Sequence, residues 1–180
     1  MFKIDDATAL RALRKEDAPE LFAVTDANRK HLREWLPWVD VVLVEADSAA
    51  FIDAMIAQRE AGRGPTFAVL RDGAIVGIAG FRPIDRVNRV AEIGYWLAAA
   101  AQGRGTMTEC CRFLVRYAFL TLDLNRVEIA AATDNRRSRA VPERLGFKLE
   151  GVLREREALN GGFVDHAVYS QLRSEFDAQL

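Results

Sequence analysis

A change in hydrophobic period in the middle of the chain constrains its fold more than any other feature. Three β-prone runs lie between residues 66 and 97, and Asp72-Gly73, between the first two, is a pair typical of a type I′ hairpin turn. From Thr106 onward apolar residues recur at helical spacing, and residues 126–131 then alternate as a strand does. A helix between two strands implies a crossover to a parallel neighbour. We therefore predict an α+β fold in which an antiparallel meander continues into a parallel pair.

The remaining segments complete this prediction without adding a second domain. No internal repeat, low-complexity tract or linker interrupts the 180 residues, so we predict one domain over residues 1–180 with a substantial core. The other predicted elements are a strand over 10–14, a helix from Lys15 to about Arg29, a helix capped by Asp47-Ser48 that ends near Gly62, a short helix from Ser138 to Leu145, and a closing hairpin of 149–159 and 163–172 around Asn160-Gly161-Gly162.

Composition and charge exclude several classes of function. The net charge is −1, so no overall field attracts nucleic acid or an anionic membrane surface. Cys110 and Cys111 are adjacent, and with two scattered histidines they offer no zinc-ligand spacing, so we expect no metal. Charged residues interrupt any signal peptide at the N-terminus, and no apolar run approaches the length of a membrane span. We expect a cytoplasmic protein that handles a small molecule.

Two glycines and an arginine stand directly before the central helix, in Gln102-Gly-Arg-Gly105. A helix that begins at Thr106 aims unpaired backbone N–H groups forward, and together with the helix dipole they attract an anion. Gly103 and Gly105 let a phosphate approach the backbone without a Cβ in the way. Arg104 adds a charge-assisted contact. The sequence therefore predicts a phosphate-binding turn.

Two common nucleotide-binding motifs do not fit this turn. A P-loop needs Gly-Lys-Ser/Thr, but Gly105 is followed by Thr106 and no lysine. A dinucleotide fingerprint needs a third glycine inside a parallel βαβ unit, but residue 108 is threonine and the preceding strands form a meander. A third pattern, Gln/Arg-x-x-Gly-x-Gly/Ala between a fourth strand and a long helix, matches residues 102–107, with Met107 in place of the final small residue.

Further blocks of sequence accompany this pattern in a specific order and spacing. They are His31-Leu-Arg-Glu-Trp-Leu-Pro-Trp38, Ala91-Glu-Ile-Gly-Tyr-Trp-Leu97, Gln102-Gly-Arg-Gly-Thr-Met-Thr108, Asn135-Arg-Arg-Ser138, Glu143-Arg-Leu-Gly-Phe147 and Glu150-Gly-Val-Leu-Arg154. Over about residues 8–172 the chain resembles the GNAT superfamily of acyl-CoA-dependent N-acetyltransferases, and within it the branch of ribosomal-protein N-terminal acetyltransferases. Residues 98–101 depart from the family pattern, since they lack its usual Pro and Tyr/Arg.

The resemblance implies a mostly antiparallel sheet, flanked by helices, whose fourth and fifth strands are parallel and splay apart around the pantetheine arm of acetyl-CoA. Backbone N–H groups near Leu97 would polarise the thioester carbonyl, and the Asn135 amide would bond the pantetheine, although a turn-forming Asn explains the same residue. The implied cofactor-binding residues are Trp96, Leu97, Ala98, Gln102, Gly103, Arg104, Gly105, Thr106, Met107 and Asn135.

Acetyl transfer to an amine needs a base, and Glu92 is the leading candidate. Alternation on its strand puts Val90, Gly94 and Trp96 on the same face, so we expect this carboxylate among apolar and small neighbours. Such burial makes a carboxylate more basic, and in the resembled family a carboxylate on this strand often takes the proton of the amine. The alternative is a surface or salt-bridged glutamate.

Ser138 is the candidate for protonating the departing thiolate. Many members of the resembled family use a tyrosine on this helix, but the matching position is Arg144 and no tyrosine lies between Tyr117 and Tyr169. Proline is best tolerated in a first turn, so Pro142 predicts a helix that starts near Ser138 and places its hydroxyl at the N-terminus. A helix cap is the alternative role of that hydroxyl.

The resemblance implies acetyl-CoA as the acetyl donor, but it specifies the amine that accepts the acetyl group less closely. Trp35 and Trp38 are expected to line the acceptor pocket, with core packing as the alternative, while His31 and His166 belong to no catalytic motif. We predict an acetyl-CoA-dependent N-acetyltransferase that acts by direct attack on a primary amine, most simply a protein N-terminal α-amine. A small-molecule amine, an amino acid derivative or antibiotic, and a non-catalytic acyl-CoA-binding module are the alternatives. A homodimer is compatible with the family habit, and no sequence feature decides it.

Overall fold

A mixed eight-stranded sheet forms the centre of the protein in the computed structural model, which describes residues 1–176. Its strand order is β1-β2-β3-β4-β5-β6-β8-β7. The strands are β1 (Phe2–Lys3), β2 (Thr8–Ala12), β3 (Thr66–Arg71), β4 (Ala74–Phe81), β5 (Val90–Leu97), β6 (Arg126–Ala132), β7 (Lys148–Leu159) and β8 (Gly162–Leu172). The α-helices are α1 (Ala18–Ala27), α2 (Arg29–Leu32), α3 (Glu45–Glu60), α4 (Thr106–Leu120) and α5 (Arg136–Arg144).

The antiparallel meander predicted from alternation is present as β3, β4 and β5. Its first turn has positive φ at both central residues, 50° at Asp72 and 86° at Gly73. Positive φ at both positions is the signature of the type I′ turn, whose twist matches that of the strands it joins. The turn residues in the sequence therefore specified this hairpin correctly.

Two apolar layers cover the sheet. On one face α4 contributes Cys110, Cys111, Leu114 and Ala118, all fully buried in the larger core cluster. On the other face a smaller cluster joins Leu21 of α1 and Ile52 of α3 to the sheet. Burial raises the pKa of the Cys110 thiol to about 12 and that of Cys111 well above its ordinary value. Both cysteines are thus neutral packing groups.

The strands β5 and β6 are the parallel pair, and they stay together for three residues. Val90 to Glu92 pair with Arg126 to Glu128, and the rest of β5 pairs with β4 alone. Beyond Glu128, β6 continues beside β8. The two strands therefore diverge toward their carboxyl ends and open a gap in the sheet. The resemblance implies this divergence for the fourth and fifth strands. They are β5 and β6 here, because the short strand β1 is counted first.

Three predicted helix starts differ from the structure. The first helix begins with a 3-10 turn over Lys15–Asp17, and α1 follows it. The helix predicted to be capped by Asp47-Ser48 starts at Glu45, because the Asp47 carboxylate reaches back to the N–H groups of Leu43 and Val44 at 2.8 and 3.0 Å. The third difference, at the start of α5, shapes the functional site.

Candidate active site

A groove of about 1080 Å³ lies between the end of β5 and the segment that follows β6. The N-terminal turns of α4 and α5 form its two rims, and the end of β5 forms its floor. A second cavity of about 540 Å³ lies beside it, walled by β4, β5, β6 and the segment from Trp35 to Trp38. Six residues line both spaces: Trp35, Leu36, Tyr95, Trp96, Asn135 and Ser138. The two spaces therefore meet at a shared wall.

The rim formed by α4 presents free backbone donors. The first intrahelical bond runs from the Glu109 N–H to the Gly105 carbonyl at 3.1 Å, so the amides of residues 106–108 precede it. Gly103 and Gly105 have φ of 76° and 78°, in the left-handed region that favours glycine. A Cβ at either position would meet no protein atom within 4 Å, so the space beside both glycines is open. Amide donors at a helix N-terminus with open space in front form an anion site.

Arginines strengthen this anion site from the opposite rim. Arg136, Arg137 and Arg144 line the groove. Arg137 donates to the Gln102 carboxamide oxygen at 3.0 Å, and Arg144 donates twice to the Thr108 hydroxyl at 3.1 and 2.9 Å. Amide donors and guanidinium groups together suit a phosphate-bearing ligand, so the residues present fit coenzyme A. The sequence prediction omitted these three arginines, although the Asn135-Arg-Arg-Ser138 block marked two of them.

Most of the residues predicted to bind the cofactor line this groove. The lining members are Trp96, Leu97, Gln102, Gly103, Gly105, Thr106, Met107 and Asn135. Ala98 and Arg104 are not among the lining residues. The Ala98 N–H donates to the Val76 carbonyl at 2.8 Å, so it is not available to a ligand. Arg104 is exposed to solvent next to the turn rather than in the wall of the groove.

Asn135 can cap α5 with its carboxamide oxygen and still present its NH2 group to a ligand. Its oxygen accepts from the Ser138 N–H at 3.0 Å and caps α5. The NH2 end of the carboxamide is therefore the part that can face the groove. The cap is on Asn135, so the alternative of Ser138 as the capping residue is wrong, and α5 begins at Arg136 rather than near Ser138.

The early start of α5 puts Pro142 in the helix interior, where its missing N–H leaves the Ser138 carbonyl without a helical partner. Tyr95 of β5 supplies the replacement, because its hydroxyl donates to that carbonyl at 3.0 Å. The Ser138 hydroxyl in turn donates to the Tyr95 oxygen at 3.1 Å. Burial raises the pKa of Tyr95, so the phenol stays neutral.

Tyr95 thus stands beside Ser138, although the sequence prediction found no tyrosine for this part of the site. The resembled family carries its tyrosine on the helix that follows β6, whereas this tyrosine comes from β5. Its position in the Gly94-Tyr-Trp96 block was the available signal.

The acceptor cavity, as we call the smaller space, is lined by aromatic rings and by carboxylates. Trp38 and Trp96 have ring centroids 6.0 Å apart, and Trp35 lines both the cavity and the groove. Glu92 and Glu157 are the two lining carboxylates. An apolar wall with a few charged groups is the ordinary composition of a small-ligand site.

Glu92 lies in the wall of the cavity, but not in the environment predicted for it. Its side chain is 29% exposed and forms an ion pair with Arg82, with Oε1 and Nε 2.8 Å apart. The prediction of only apolar and small neighbours is therefore wrong, and the salt-bridged alternative is correct. Alternation identified the face on which Glu92 lies, but Arg82 follows β4, and a pattern within one strand cannot show a partner from its neighbour.

Glu157 and His166 form a second charged pair in the same wall. The imidazole Nε2 of His166 lies 3.2 Å from Oε2 of Glu157. The two residues belong to the closing hairpin, on β7 and β8. Glu157 was not predicted as a site residue and His166 was given no role, since neither stands in a catalytic motif. No spacing in the sequence indicates that they meet across the hairpin.

Two negative observations apply to the described part of the chain. Within residues 1–176, no group of three or more His, Cys, Asp or Glu side chains is placed to hold a metal ion. In the same range, no helix has both the length and the apolar character needed to cross a bilayer.

Comparison with known proteins agrees with this geometry. The protein-family model described as "Acetyltransferase (GNAT) domain" matches residues 8–148 of this chain. The "Putative ribosomal N-acetyltransferase YdaF" of Bacillus subtilis is 36% identical over 178 residues, which cover 98% of this chain and 97% of that protein.

Two solved structures are similar in fold and in sequence. The microcin C7 self-immunity acetyltransferase MccE, in complex with acetyl-CoA and AMP, superposes with a TM-score of 0.89 at 30% identity, covering 94% of each chain. RimL, the ribosomal L7/L12 alpha-N-protein acetyltransferase in complex with coenzyme A, superposes with a TM-score of 0.90 at 27% identity, covering 95% of this chain and 97% of that one. The chain belongs to the GNAT family and is an acetyl-CoA-dependent N-acetyltransferase.

Proposed function

We propose that this enzyme acetylates the α-amine of a protein N-terminus. The observation that carries the proposal is the shared wall of the groove and the acceptor cavity, where Tyr95, Asn135 and Ser138 line both spaces. A thioester at the end of the groove and an amine in the cavity would meet at this wall. Two of the similar proteins, RimL and YdaF, carry names that refer to ribosomal acetylation, and the name of RimL specifies the alpha-N position.

The chemistry of the amine favours an α-amine over a lysine side chain. An α-amine has an ordinary pKa of about 7.7–8.0 and a lysine amine about 10.4. At pH 7, forming the neutral amine therefore costs about 1 kcal/mol for the first and about 4.6 kcal/mol for the second. The residues that line the acceptor cavity include one imidazole and two half-buried carboxylates but no lysine, which suits the smaller cost.

Acetyl-CoA supplies the acetyl thioester when it is bound. On this proposal the α4 amides and the arginines of the α5 rim hold the phosphates, and the Asn135 NH2 group bonds the pantetheine amide. Backbone N–H groups near Leu97 would polarise the thioester carbonyl. These contacts would place the reacting carbon at the wall that the two spaces share.

Ser138 is proposed to donate to the sulfur that departs. Its hydroxyl lies at the wall shared by the groove and the cavity, and Tyr95 holds it there. The phenol oxygen accepts from the serine hydroxyl, so it fixes the position of that hydroxyl and is not itself a proton source. Ser138 is therefore the proposed catalytic acid, and Tyr95 its positioning residue.

Glu92 is proposed to attract the acceptor rather than to deprotonate it. One oxygen of its carboxylate is already engaged by the Arg82 guanidinium, 2.8 Å away. Negative charge in the cavity wall favours entry of an ammonium group. The proton of the amine then needs another acceptor.

A small amine that carries an aromatic ring is the second candidate acceptor. Trp38 and Trp96 present two rings with centroids 6.0 Å apart in the cavity wall, and flat ring systems stack on such surfaces. MccE, with 30% identity, was solved with AMP as well as acetyl-CoA. This candidate predicts acetylation of amines joined to a purine rather than of peptides.

Mass spectrometry of the products tests the two candidates together. The enzyme and acetyl-CoA are incubated with peptides that have a free α-amine and no lysine, the same peptides with a blocked α-amine and one lysine, and amines joined to adenosine. We expect thiol release and a 1:1 acetylated product with the first set. Acetylation of the third set alone would support the second candidate. Binding of acetyl-CoA without thiol release on any amine would identify a non-catalytic module instead.

A further inference from the structure

The Glu157–His166 pair occupies a wall of the acceptor cavity and has no part in the function proposed above. Both side chains line the cavity, as Ser138 does. The His166 side chain is 15% exposed and that of Glu157 29%, so the pair is largely shielded from solvent. A histidine bonded to a half-buried carboxylate at a substrate cavity is a common arrangement for moving a proton.

An irregularity in β7 creates this pair. Leu153 stands opposite His166 and Glu157 opposite Val164, so β7 spends four positions where β8 spends two. With regular pairing Glu155 would stand opposite Val164 instead. At the irregularity Glu155 has φ of 50°, and its N–H donates to the Asp165 carboxylate at 2.8 Å. Bulges of this kind re-aim side chains next to functional sites, and this one brings Glu157 to the imidazole.

Glu157 is the charged group that contacts the His166 imidazole. Along the sheet, His166 stands opposite Ala132 of β6 and Leu153 of β7, neither of which titrates. The other titratable or charged groups of the cavity wall are Arg82, Glu92 and Tyr95. Arg82 and Glu92 are bonded to each other, and the Tyr95 hydroxyl is bonded to Ser138.

We propose that His166, oriented by Glu157, accepts the proton that the acceptor ammonium must lose before it attacks. This inference rests on the proposed function, since it concerns the acceptor of that reaction. One N–H bond of the ammonium breaks, its electron pair stays on nitrogen, and the proton moves to Nδ1 of the imidazole, because Nε2 donates to Glu157. The Glu157 carboxylate balances the new charge. The neutral nitrogen then forms a C–N bond to the thioester carbon. The C–S bond breaks with its electron pair on sulfur, the second amine proton neutralises the thiolate through Ser138, and His166 returns its proton to water.

The test compares two acceptors whose amines differ in charge at neutral pH. One is a peptide with an ordinary α-amine. The other is the same peptide with an N-terminal aminooxyacetyl group, whose amine is neutral between pH 6 and 9. At pH 7 we expect His166→Gln to lower kcat/KM by about 100-fold for the first peptide, which is within the usual contribution of a general base. For the aminooxy peptide we expect a loss of less than about threefold.

Glu157→Gln serves as the matched variant, because it keeps the imidazole and removes the group that orients it. We expect a loss of about tenfold for the α-amine peptide, again with little change for the aminooxy peptide. An equal loss on both peptides would show that His166 has only a structural role. No loss on the α-amine peptide would also overturn the proposal. Stabilisation by acetyl-CoA in a thermal shift assay verifies that each variant is folded.

A measurement on the unaltered enzyme covers the case in which the variants do not fold. The chain contains two histidines, so the imidazole NMR signals of 15N-histidine-labelled protein are few, and the spectrum of His31→Gln assigns those of His166. We expect the His166 titration to coincide with the acid limb of kcat/KM for the α-amine peptide, and a clear mismatch would overturn the proposal. If the enzyme acetylates no α-amine peptide at all, the proposed function fails and this inference fails with it. If the enzyme is active but indifferent to His166, only this inference fails.

Discussion

The Tyr95 hydroxyl donates to the Ser138 carbonyl across 43 positions of sequence, and it fills the place of the N–H that Pro142 lacks. The return bond from the Ser138 hydroxyl ties the serine side chain to the same phenol at 3.1 Å. One side chain therefore both repairs the helix α5 and fixes the group proposed to protonate the thiolate. These two functions can be separated by mutation.

Tyr95→Phe removes both hydrogen bonds and little else. We expect the free energy of unfolding to fall by about 1 kcal/mol, because the Ser138 carbonyl loses its partner, and kcat to fall about tenfold with little change in the KM for acetyl-CoA. Adding Pro142→Ala gives the carbonyl a helical N–H and should restore stability. It should not restore kcat, since the Ser138 hydroxyl still has no phenol to hold it. Denaturation measures the stability of each variant, and steady-state kinetics measures its kcat. Recovery of kcat in the double variant would contradict the positioning role of Tyr95.

The start of α5 illustrates what local sequence rules can and cannot predict. Proline in a first turn is a sound local rule, yet Pro142 lies in the helix interior because Tyr95, distant in sequence, satisfies the carbonyl that it leaves free. The Asp72-Gly73 turn, in contrast, depends on its own two residues and was predicted correctly. The same distinction holds in the site. The phosphate-binding turn is one contiguous stretch, whereas the partners of Glu92 and His166 come from neighbouring strands.

Asn135 allows its cap and its proposed cofactor contact to be tested separately. Asn135→Asp keeps an oxygen for the Ser138 N–H and loses the NH2 group, so we expect unchanged stability and a KM for acetyl-CoA raised several-fold. Asn135→Ala loses both, and should also destabilise the protein by about 1 kcal/mol, the usual value of an N-cap. Thermal denaturation and steady-state kinetics on the pair measure the two effects. Equal KM values for Asn135→Asp and the unaltered enzyme would remove Asn135 from the cofactor site.

Glu92 and Arg82 are predicted to act on acceptor binding with opposite signs. Glu92→Gln removes negative charge from the cavity wall and should raise the KM for a peptide α-amine about two- to fivefold, as expected for a partly solvated ion pair. Arg82→Gln frees the Glu92 carboxylate and should lower that KM. Neither change should alter kcat by more than about twofold. A loss of turnover in Glu92→Gln that depends on pH between 6 and 9 would instead assign the base to Glu92.

Two glycines on adjacent strands are predicted to differ strongly in their tolerance of a methyl group. A Cβ at Gly77 would lie 2.1 Å from the Trp96 carbonyl oxygen and 3.0 Å from the Leu97 Cα, both backbone atoms. A Cβ at Gly94 would meet nothing within 4 Å. We therefore expect Gly77→Ala to lower the free energy of unfolding by about 1–3 kcal/mol, the usual cost of overpacking, and Gly94→Ala to leave it nearly unchanged. Urea denaturation of both variants measures the difference, and similar midpoints would refute the close approach of β4 and β5 at Gly77.

Acid stability is predicted to depend on Glu150 of β7. Hydrogen bonds from Arg126, and then from Ser170, lower the pKa of this carboxyl from its ordinary 4.5 to about 2. A lowered folded-state pKa means that the unfolded chain binds the proton first, so the stabilisation is complete above about pH 4.5 and is lost as the pH falls toward 2. The Glu150 side chain is 44% exposed. Solvent therefore screens the pair, and we expect it to contribute about 1 kcal/mol.

A double-mutant cycle isolates this contribution from the bond that Arg126 also makes to Glu128. Arg126→Gln, Glu150→Gln and the double variant are unfolded with urea at pH 7, 4 and 2.5. The coupling energy should be about 1 kcal/mol at pH 7, smaller at pH 4, and smallest at pH 2.5, because protonation of Glu150 removes the charge that Arg126 binds. A coupling energy that stays constant from pH 7 to 2.5 would mean that the carboxyl does not titrate in this range while bound to Arg126, contrary to the lowered but finite pKa.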